Sequence, residues 1–113
     1  MGASSAGAVV LVRFPFSDLT RSKVRPALVL ARAEHDDTIL CQITSNPYAD
    51  SSAIELSEEG FLVGSLQRAS YVRVRRIFTA HRELIHRQVG ILKPDLHHLV
   101  VQTLVRTLLA PFA

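Results

Sequence analysis

Apolar residues occur along most of this chain in short runs of strand length, separated by polar segments that contain Pro, Asp or Ser. A run that is apolar at nearly every position is typical of a strand covered on both faces, whereas alternation is typical of a strand with one covered face. We therefore predict five strands, which are AVVLVRF (8–14), RPALVLAR (25–32), TILCQIT (38–44), SAIEL (52–56) and SYVRVRRIFT (70–79).

After IHRQVGIL (85–92) the apolar residues recur at helical spacing. Pro94 is suited to the first turn of a helix, and Pro111 is expected to end it. The predicted core-facing stripe consists of Leu96, Leu99, Val100, Leu104 and Leu108, with Val101, Val105 and Leu109 beside it. This is more apolar surface than one helix needs against its own domain, so we expect a homodimer. Five or six strands followed by one helix predict a mainly-β fold, a small, strongly bent β-barrel with a C-terminal α-helix.

The length of 113 residues suits a single domain, which we place at 8–113 after a flexible tail at 1–7. No apolar run is long enough to span a membrane, and the first residues lack the pattern of a signal peptide. Cys41 is the one cysteine and has no partner for a disulfide. Together these features favour a cytoplasmic location.

The charge distribution is more informative than the net charge of +3, because 11 of the 13 basic residues are arginines. Six arginines lie between positions 68 and 87, against one acidic residue, Glu83. The planar guanidinium group suits phosphates and stacks on bases, which favours a nucleic-acid partner. A well-solvated surface is the alternative interpretation.

Three groups of residues could carry chemistry. Alternation in the last predicted strand places Tyr71, Arg73 and Arg75 on one face, an arrangement that can stack a base and hold phosphates. An exposed sheet face is the alternative. Arg25 stands before Pro26 at the start of a strand that follows a long polar loop, 15–24, and it could instead form an ion pair with Asp18 or Glu34. Thr44 could donate its hydroxyl to a phosphate oxygen or could be an ordinary turn residue.

Several other kinds of site are not indicated. The five histidines have no zinc-binding spacing, and there is no phosphate-binding glycine loop and no nucleophile elbow, so we expect no metal and no cofactor. His81 is the one histidine that we consider as a proton carrier, although an exposed strand-end histidine is the alternative.

Four elements in this order resemble the PemK/MazF toxins of bacterial toxin–antitoxin modules. They are the strand VVLVRFPF, the strand RPALVL after a polar loop, the ITS of residues 43–45, and the run SYVRV (70–74) leading to Thr79 and to a turn at Gly90-Ile91-Leu92. The resemblance covers the chain from Val9 to about Leu108. It implies an SH3-like barrel, a homodimer, cleavage of single-stranded RNA without a metal, and an antitoxin partner with an acidic segment.

The resemblance also implies roles for particular residues. It assigns catalysis to Arg25 and Thr44, and Arg73 matches a third family position. Apart from the resemblance, we expect RNA contacts at Tyr71, Arg73, Arg75, Ser45, Arg21 and Lys23. The chain departs from some members in having Arg75 in place of an acidic residue and no histidine in 15–24, so the general base is left open.

The leading hypothesis is thus a toxin of a type II toxin–antitoxin module that acts as a sequence-selective endoribonuclease. We expect Arg25 at the mouth of the barrel, facing the scissile phosphate, in one groove with Arg73, Arg75 and Tyr71. Two alternatives remain, a nucleic-acid-binding module without catalysis and a CcdB-like, gyrase-inhibiting toxin that binds a protein through the same fold.

Overall fold

The computed structural model describes residues 5–14, 23–47 and 49–111. Within these ranges it contains seven strands and one α-helix. They are β1 (Ala8–Phe14), β2 (Lys23–Arg32), β3 (Asp37–Thr44), β4 (Ile54–Leu56), β5 (Phe61–Gly64), β6 (Ser70–His81), β7 (Ile85–Leu92) and α1 (Pro94–Leu109). All five predicted strands and the predicted helix are present. Strands β5 and β7 were not among the five.

All seven strands belong to one antiparallel sheet in the order β4-β6-β3-β2-β1-β7-β5. Register shifts interrupt the pairing of β1 with β7, β2 with β3, β3 with β6 and β5 with β7. Such bulges bend and twist a sheet, which lets it curl around a core. The mainly-β prediction is confirmed, although β4 and β5 remain edge strands and the barrel is therefore half open.

Apolar side chains cover both faces of the central strands. Val9 and Leu28 belong to one buried cluster, which also contains Val100 of the helix. Their neighbours Val10 and Val29 belong to a second buried cluster on the opposite face. This explains why these strands are apolar at nearly every position rather than alternating.

The face of α1 that packs against the sheet differs from the predicted face. Val100 is fully buried, and Leu96 and Leu104 pack against the same cluster as expected. Leu99 and Leu108, however, are exposed, so their assignment to the core-facing stripe was wrong. Their places are taken by Thr103 and Thr107, whose hydroxyl groups donate to backbone carbonyls one turn earlier, at 2.8 Å each. A threonine satisfied in this way can be half buried at little cost.

The segment Gly90-Ile91-Leu92 was predicted as a turn but lies within strand β7. Gly90 is needed there because of close packing with β5. A Cβ atom at this position would lie 2.7 Å from the Phe61 ring and from the Val63 carbonyl oxygen. Beside this segment, the backbone of Gly7, which was placed in the tail, hydrogen-bonds Val29 and Leu92. No described helix is long and apolar enough to cross a bilayer.

Candidate active site

The pairing of β2 with β3 brings the two predicted catalytic residues together. Ala27 pairs with Gln42 in an antiparallel register. Arg25 stands two residues before Ala27, and Thr44 stands two residues after Gln42. Because the strands run in opposite directions, both residues lie at the same end of the sheet.

Arg25 and Thr44 line one cavity of about 260 Å³, which we call the Arg25 cavity. The polar side chains among its described lining residues are two guanidinium groups and three hydroxyl groups. The described lining residues are Leu11, Val24, Arg25, Pro26, Ile43, Thr44, Ser45, Leu66, Arg68 and Ser70. These donors can bind the oxygens of a phosphate and stabilise extra negative charge on it. Among its described lining residues there is no carboxylate or imidazole, so what these residues can supply is charge stabilisation.

The side chain of Arg25 is exposed. No acidic residue in the described ranges forms a salt bridge with it. Glu34 follows the opposite end of β2, so the suggested ion pair between Arg25 and Glu34 is wrong. Asp18, the other suggested partner, lies outside the described residues. Arg25 thus presents its charge to the cavity.

Thr44 forms a local turn with Asn46. Its Oγ1 accepts from the Asn46 N–H at 3.1 Å and lies 3.1 Å from the Asn46 carbonyl oxygen, to which it donates. Such a turn is the structural role that the sequence offered as the alternative. The two roles are compatible, because the hydroxyl can turn its proton towards the cavity while still accepting from the Asn46 amide.

The arginines of β6 are engaged elsewhere, by the carboxylate of Asp50. Arg73 Nε donates to Asp50 Oδ2 at 3.2 Å, and Arg75 Nη2 donates to Asp50 Oδ1 at 3.0 Å. Asp50 Oδ1 also accepts from the amide and the hydroxyl of Ser52, at 2.9 and 2.7 Å. The Asp50 side chain is only 4% exposed, and that of Arg73 is 13% exposed, against 53% for Arg75.

These contacts govern the charge state of Asp50. Hydrogen bonds from Ser52, Arg75 and Arg73 outweigh the opposing effect of burial and hold the pKa of the carboxyl well below its usual range. A carboxylate with so low a pKa is a poor proton acceptor at neutral pH. Asp50 therefore acts as an anchor that fastens the segment after Thr44 to β6.

Arg73 and Arg75 line a second cavity of about 340 Å³ together with Ala49, Asp50 and Arg76. We call it the Asp50 cavity, and no described residue lines both this cavity and the Arg25 cavity. The described residues of the predicted groove thus line two cavities, with Arg25 in one and Arg73 and Arg75 in the other. A bulge in β6 contributes to this, because Gln42 pairs with Arg73 while the preceding Cys41 pairs with Ile77. The extra residues leave Arg75 and Arg76 exposed side by side.

The other predicted RNA contacts are placed as follows. Ser45 lines the Arg25 cavity, whereas Tyr71 is half buried and lines neither cavity. Lys23 is exposed at the start of β2. Arg21 and positions 15–22 of the loop lie outside the described residues.

Neither a histidine nor Cys41 is among the described residues that line the Arg25 cavity. His81 pairs with Asp37 at the start of β3, whereas Thr44 is at the end of the same strand. At the rise per residue of a β-strand, His81 therefore lies roughly 20 Å from Thr44. Its Nδ1 accepts from the Glu83 amide, so it is a strand-end cap and not a proton carrier for the Arg25 cavity. Burial raises the pKa of the Cys41 thiol to about 12, which leaves it protonated. Among the described residues, no group of three His, Cys, Asp or Glu could hold a metal.

Arg68 and Ser70 are the polar lining residues that sequence reasoning did not assign to the site. Arg68 follows β5, a strand that was not predicted, and Ser70 begins β6, whose predicted pattern did not indicate that its start returns to Arg25. The cluster of arginines from 68 to 87 included Arg68, but only the sheet topology distinguishes it from the others.

The comparisons with known proteins agree with this fold. A sequence profile of the family described as "PemK-like, MazF-like toxin of type II toxin-antitoxin system" matches residues 5–108. Three solved structures are similar in fold. A MazF from Deinococcus radiodurans has a TM-score of 0.72 at 21% identity, covering 93% of this chain and 96% of its own. The Mycobacterium tuberculosis toxin MazF-mt6 has a TM-score of 0.70 at 16% identity, covering 93% and 99%.

The third structure is an endoribonuclease in complex with its cognate antitoxin from a mycobacterial species. Its TM-score is 0.69 at 16% identity, and the match covers 100% of both chains. No curated protein matches the chain by sequence.

The anchoring role of Asp50 can be tested by Asp50→Asn. We expect the free energy of unfolding to fall by about 2 kcal/mol at pH 7, because two arginines lose their charged partner in a largely buried site. A carboxyl whose pKa is lowered by folding stabilises the native state above its ordinary pKa near 3.8 and ceases to do so as the pH falls. The difference between wild type and variant should therefore shrink below about pH 4.

Urea unfolding followed by circular dichroism measures both effects. Glu55→Gln is the matched control, since Glu55 is exposed on the neighbouring strand β4 and no described residue forms a salt bridge with it. Equal stability of Asp50→Asn and Glu55→Gln at pH 7 would contradict the anchor.

Proposed function

The chain belongs to the PemK-like, MazF-like toxin family of type II toxin–antitoxin systems, and on this basis we propose that it is an endoribonuclease acting on single-stranded RNA. The observation that supports this most is the Arg25 cavity, where Arg25 and Thr44 meet at one end of the sheet. The similar mycobacterial structure carries the same activity in its name. A cytoplasmic location is part of the proposal, because messenger RNA is the expected substrate.

The proposed reaction uses the ribose as the nucleophile. The 2′-oxygen loses its proton and bonds to phosphorus, and the bond from phosphorus to the 5′-oxygen breaks. The leaving 5′-oxygen takes up a proton, so the products are a 2′,3′-cyclic phosphate and a 5′-hydroxyl. Extra negative charge develops on the non-bridging oxygens, where fixed donors stabilise the transition state more than the substrate.

Two residues perform this stabilisation in the proposal. The guanidinium of Arg25 supplies forked N–H donors and a full positive charge to the phosphate oxygens. The Thr44 hydroxyl donates to a non-bridging oxygen after it turns from the Asn46 carbonyl. Because the positive charge comes from arginine, we propose that cleavage proceeds without a metal ion. Ser45, Lys23 and Tyr71 would contact the flanking nucleotides.

We predict that the purified protein cleaves a long single-stranded RNA in the presence of EDTA and leaves 2′,3′-cyclic phosphate ends. Arg25→Ala should lower the rate by about 10²-fold or more, the usual effect of losing one transition-state donor. Arg25→Lys should restore little of this loss, since an ammonium group lacks the forked geometry. Mapping of the fragment ends and single-turnover rates measure the two effects.

The control is Arg32→Ala, which removes an equal charge from the exposed far end of β2. If Arg25→Ala cleaves as fast as Arg32→Ala, the assignment of Arg25 fails. RNA that is bound but not cleaved by the wild type would favour the non-catalytic nucleic-acid-binding module. Inhibition of gyrase without RNA cleavage would favour the protein-binding toxin.

We also propose that the chain forms a homodimer through α1. The helix exposes four large apolar side chains, with Leu108 at 67% and Leu109 at 79% exposure, and these would be covered by a second copy. The four are Leu99, Val105, Leu108 and Leu109.

Light scattering at micromolar concentration should give twice the 12.5 kDa mass of one chain. Leu108→Glu should shift the mass to that of a monomer, because a buried unpaired charge opposes association. Gln102→Glu, on an exposed position of the same helix, should leave the dimer intact. A wild-type monomer, or a Leu108→Glu dimer as stable as the wild type, would contradict this interface.

An antitoxin is the second proposed partner. The D. radiodurans MazE-MazF structure and the mycobacterial complex are both similar in fold to this chain. We propose that an acidic segment of the partner binds across the Asp50 cavity, where Arg75 and Arg76 are exposed. Arg76 is the better probe, because reversing the charge of Arg73 or Arg75 would also break the Asp50 anchor.

Arg76→Glu should weaken binding of the acidic protein encoded by the neighbouring reading frame by about tenfold or more. Added salt should reduce the difference in affinity between the wild type and this variant. Isothermal titration measures the dissociation constants, with Arg32→Glu as the charge-matched control. If both variants bind the antitoxin equally, the Asp50 cavity is not its site.

A further inference from the structure

We propose that Arg68 is a second catalytic arginine, which contacts the scissile phosphate in the Arg25 cavity. This inference rests on the proposed endoribonuclease function. It differs from the family resemblance, which points to Arg73 as the additional arginine of the site. The juxtaposition of Arg25 and Arg68 in one lining carries the proposal.

The segment that carries Arg68 is held in place on both sides. Before it, Ser65 Oγ donates to Glu58 at 2.8 Å and accepts from the Gln67 amide at 2.8 Å. Gln67 adopts a φ of 61°, an uncommon conformation for a residue other than glycine. After it, the buried Ser70 donates its hydroxyl to the Arg68 carbonyl at 3.3 Å. These contacts place the Arg68 backbone at the rim of the cavity.

The guanidinium of Arg68, in contrast, is available for a ligand. Its side chain is exposed, and none of the described acidic residues forms a salt bridge with it. Arg73 is in the opposite situation, because its Nε donates to the nearly buried Asp50 carboxylate and its side chain lines the other cavity. Moving Arg73 to a phosphate would leave Asp50 with one fewer cation in a largely buried position.

The negative charge that develops on the phosphate during the reaction is the chemical reason for a second arginine. A phosphodiester carries one negative charge, and attack by the 2′-oxygenate adds another to the same group. Arg25 alone neutralises one of these charges, whereas Arg25 and Arg68 together neutralise both. A donor placed where the additional charge develops increases the rate and not merely the affinity. None of the described lining residues is acidic, so none of them offsets either arginine.

The test compares Arg68→Ala, Arg68→Lys and the control Arg32→Ala under single-turnover conditions. We expect Arg68→Ala to slow cleavage by about 10²-fold and Arg68→Lys to restore little of the rate. Affinity for an RNA with a 2′-deoxy nucleotide at the cleavage position, which binds but cannot react, should stay within about threefold of that of Arg32→Ala.

A phosphorothioate substrate separates a phosphate contact from a general effect on folding. Sulfur in place of the non-bridging oxygen that Arg68 contacts should slow the wild type and Arg32→Ala. It should have a much smaller additional effect on Arg68→Ala, because the interacting partner is already absent. The two phosphorothioate diastereomers place sulfur at different non-bridging oxygens, and only the diastereomer with sulfur at the contacted oxygen should show this non-additive effect. If Arg68→Ala merely distorted the loop, the effects of sulfur and of the substitution would be additive for both diastereomers.

Three results would overturn the inference. They are an Arg68→Ala rate within about threefold of the Arg32→Ala rate, a loss that lies entirely in the affinity for the deoxy substrate, and additive sulfur effects for both diastereomers. In each case a wild type that still cleaves RNA leaves the proposed function intact. A wild type that cleaves no RNA overturns the function and the role of Arg68 together.

Discussion

The antiparallel register of β2 and β3 is the constraint on which the rest of the structure depends. Pairing of Ala27 with Gln42 places Arg25 beside the end of β3, whose last residue is Thr44. A shift of one residue would turn Leu28, which is fully buried, away from its core cluster. The burial that stabilises the sheet therefore also determines which polar residues meet at its end.

Asp50 determines how the arginines of β6 are paired. Its carboxylate accepts two hydrogen bonds from Ser52, one from Arg73 and one from Arg75, so Arg73 and part of Arg75 fasten the segment after Thr44. This divides the arginines of the chain into groups with different tasks. Arg25 and Arg68 face one cavity, whose described lining residues include no acid, and Arg75 and Arg76 remain exposed beside the other. The described arginines that the sequence suggests to share one groove thus line two cavities.

The helix illustrates how local hydrogen bonding changes a hydrophobic pattern. Apolar spacing predicted a core-facing stripe that included Leu99 and Leu108. Thr103 and Thr107 occupy that face instead, because each donates its hydroxyl within the helix and so can be half buried. The displaced leucines add to the exposed apolar surface of α1, which is the basis of the proposed dimer.

The sequence by itself determined five of the seven described strands and the helix. Strand-length apolar runs and the flanking prolines located five strands and the helix, and the short motifs around Arg25, Thr44 and residues 70–74 identified the family. Only the tertiary structure decided which arginines share a cavity. Partners such as Asp50 with Arg73, or Arg68 with Arg25, are more than twenty residues apart, and their proximity depends on strand order and bulges. The period of side chains along a strand determines a face, but it contains no information about which charge on that face is already paired.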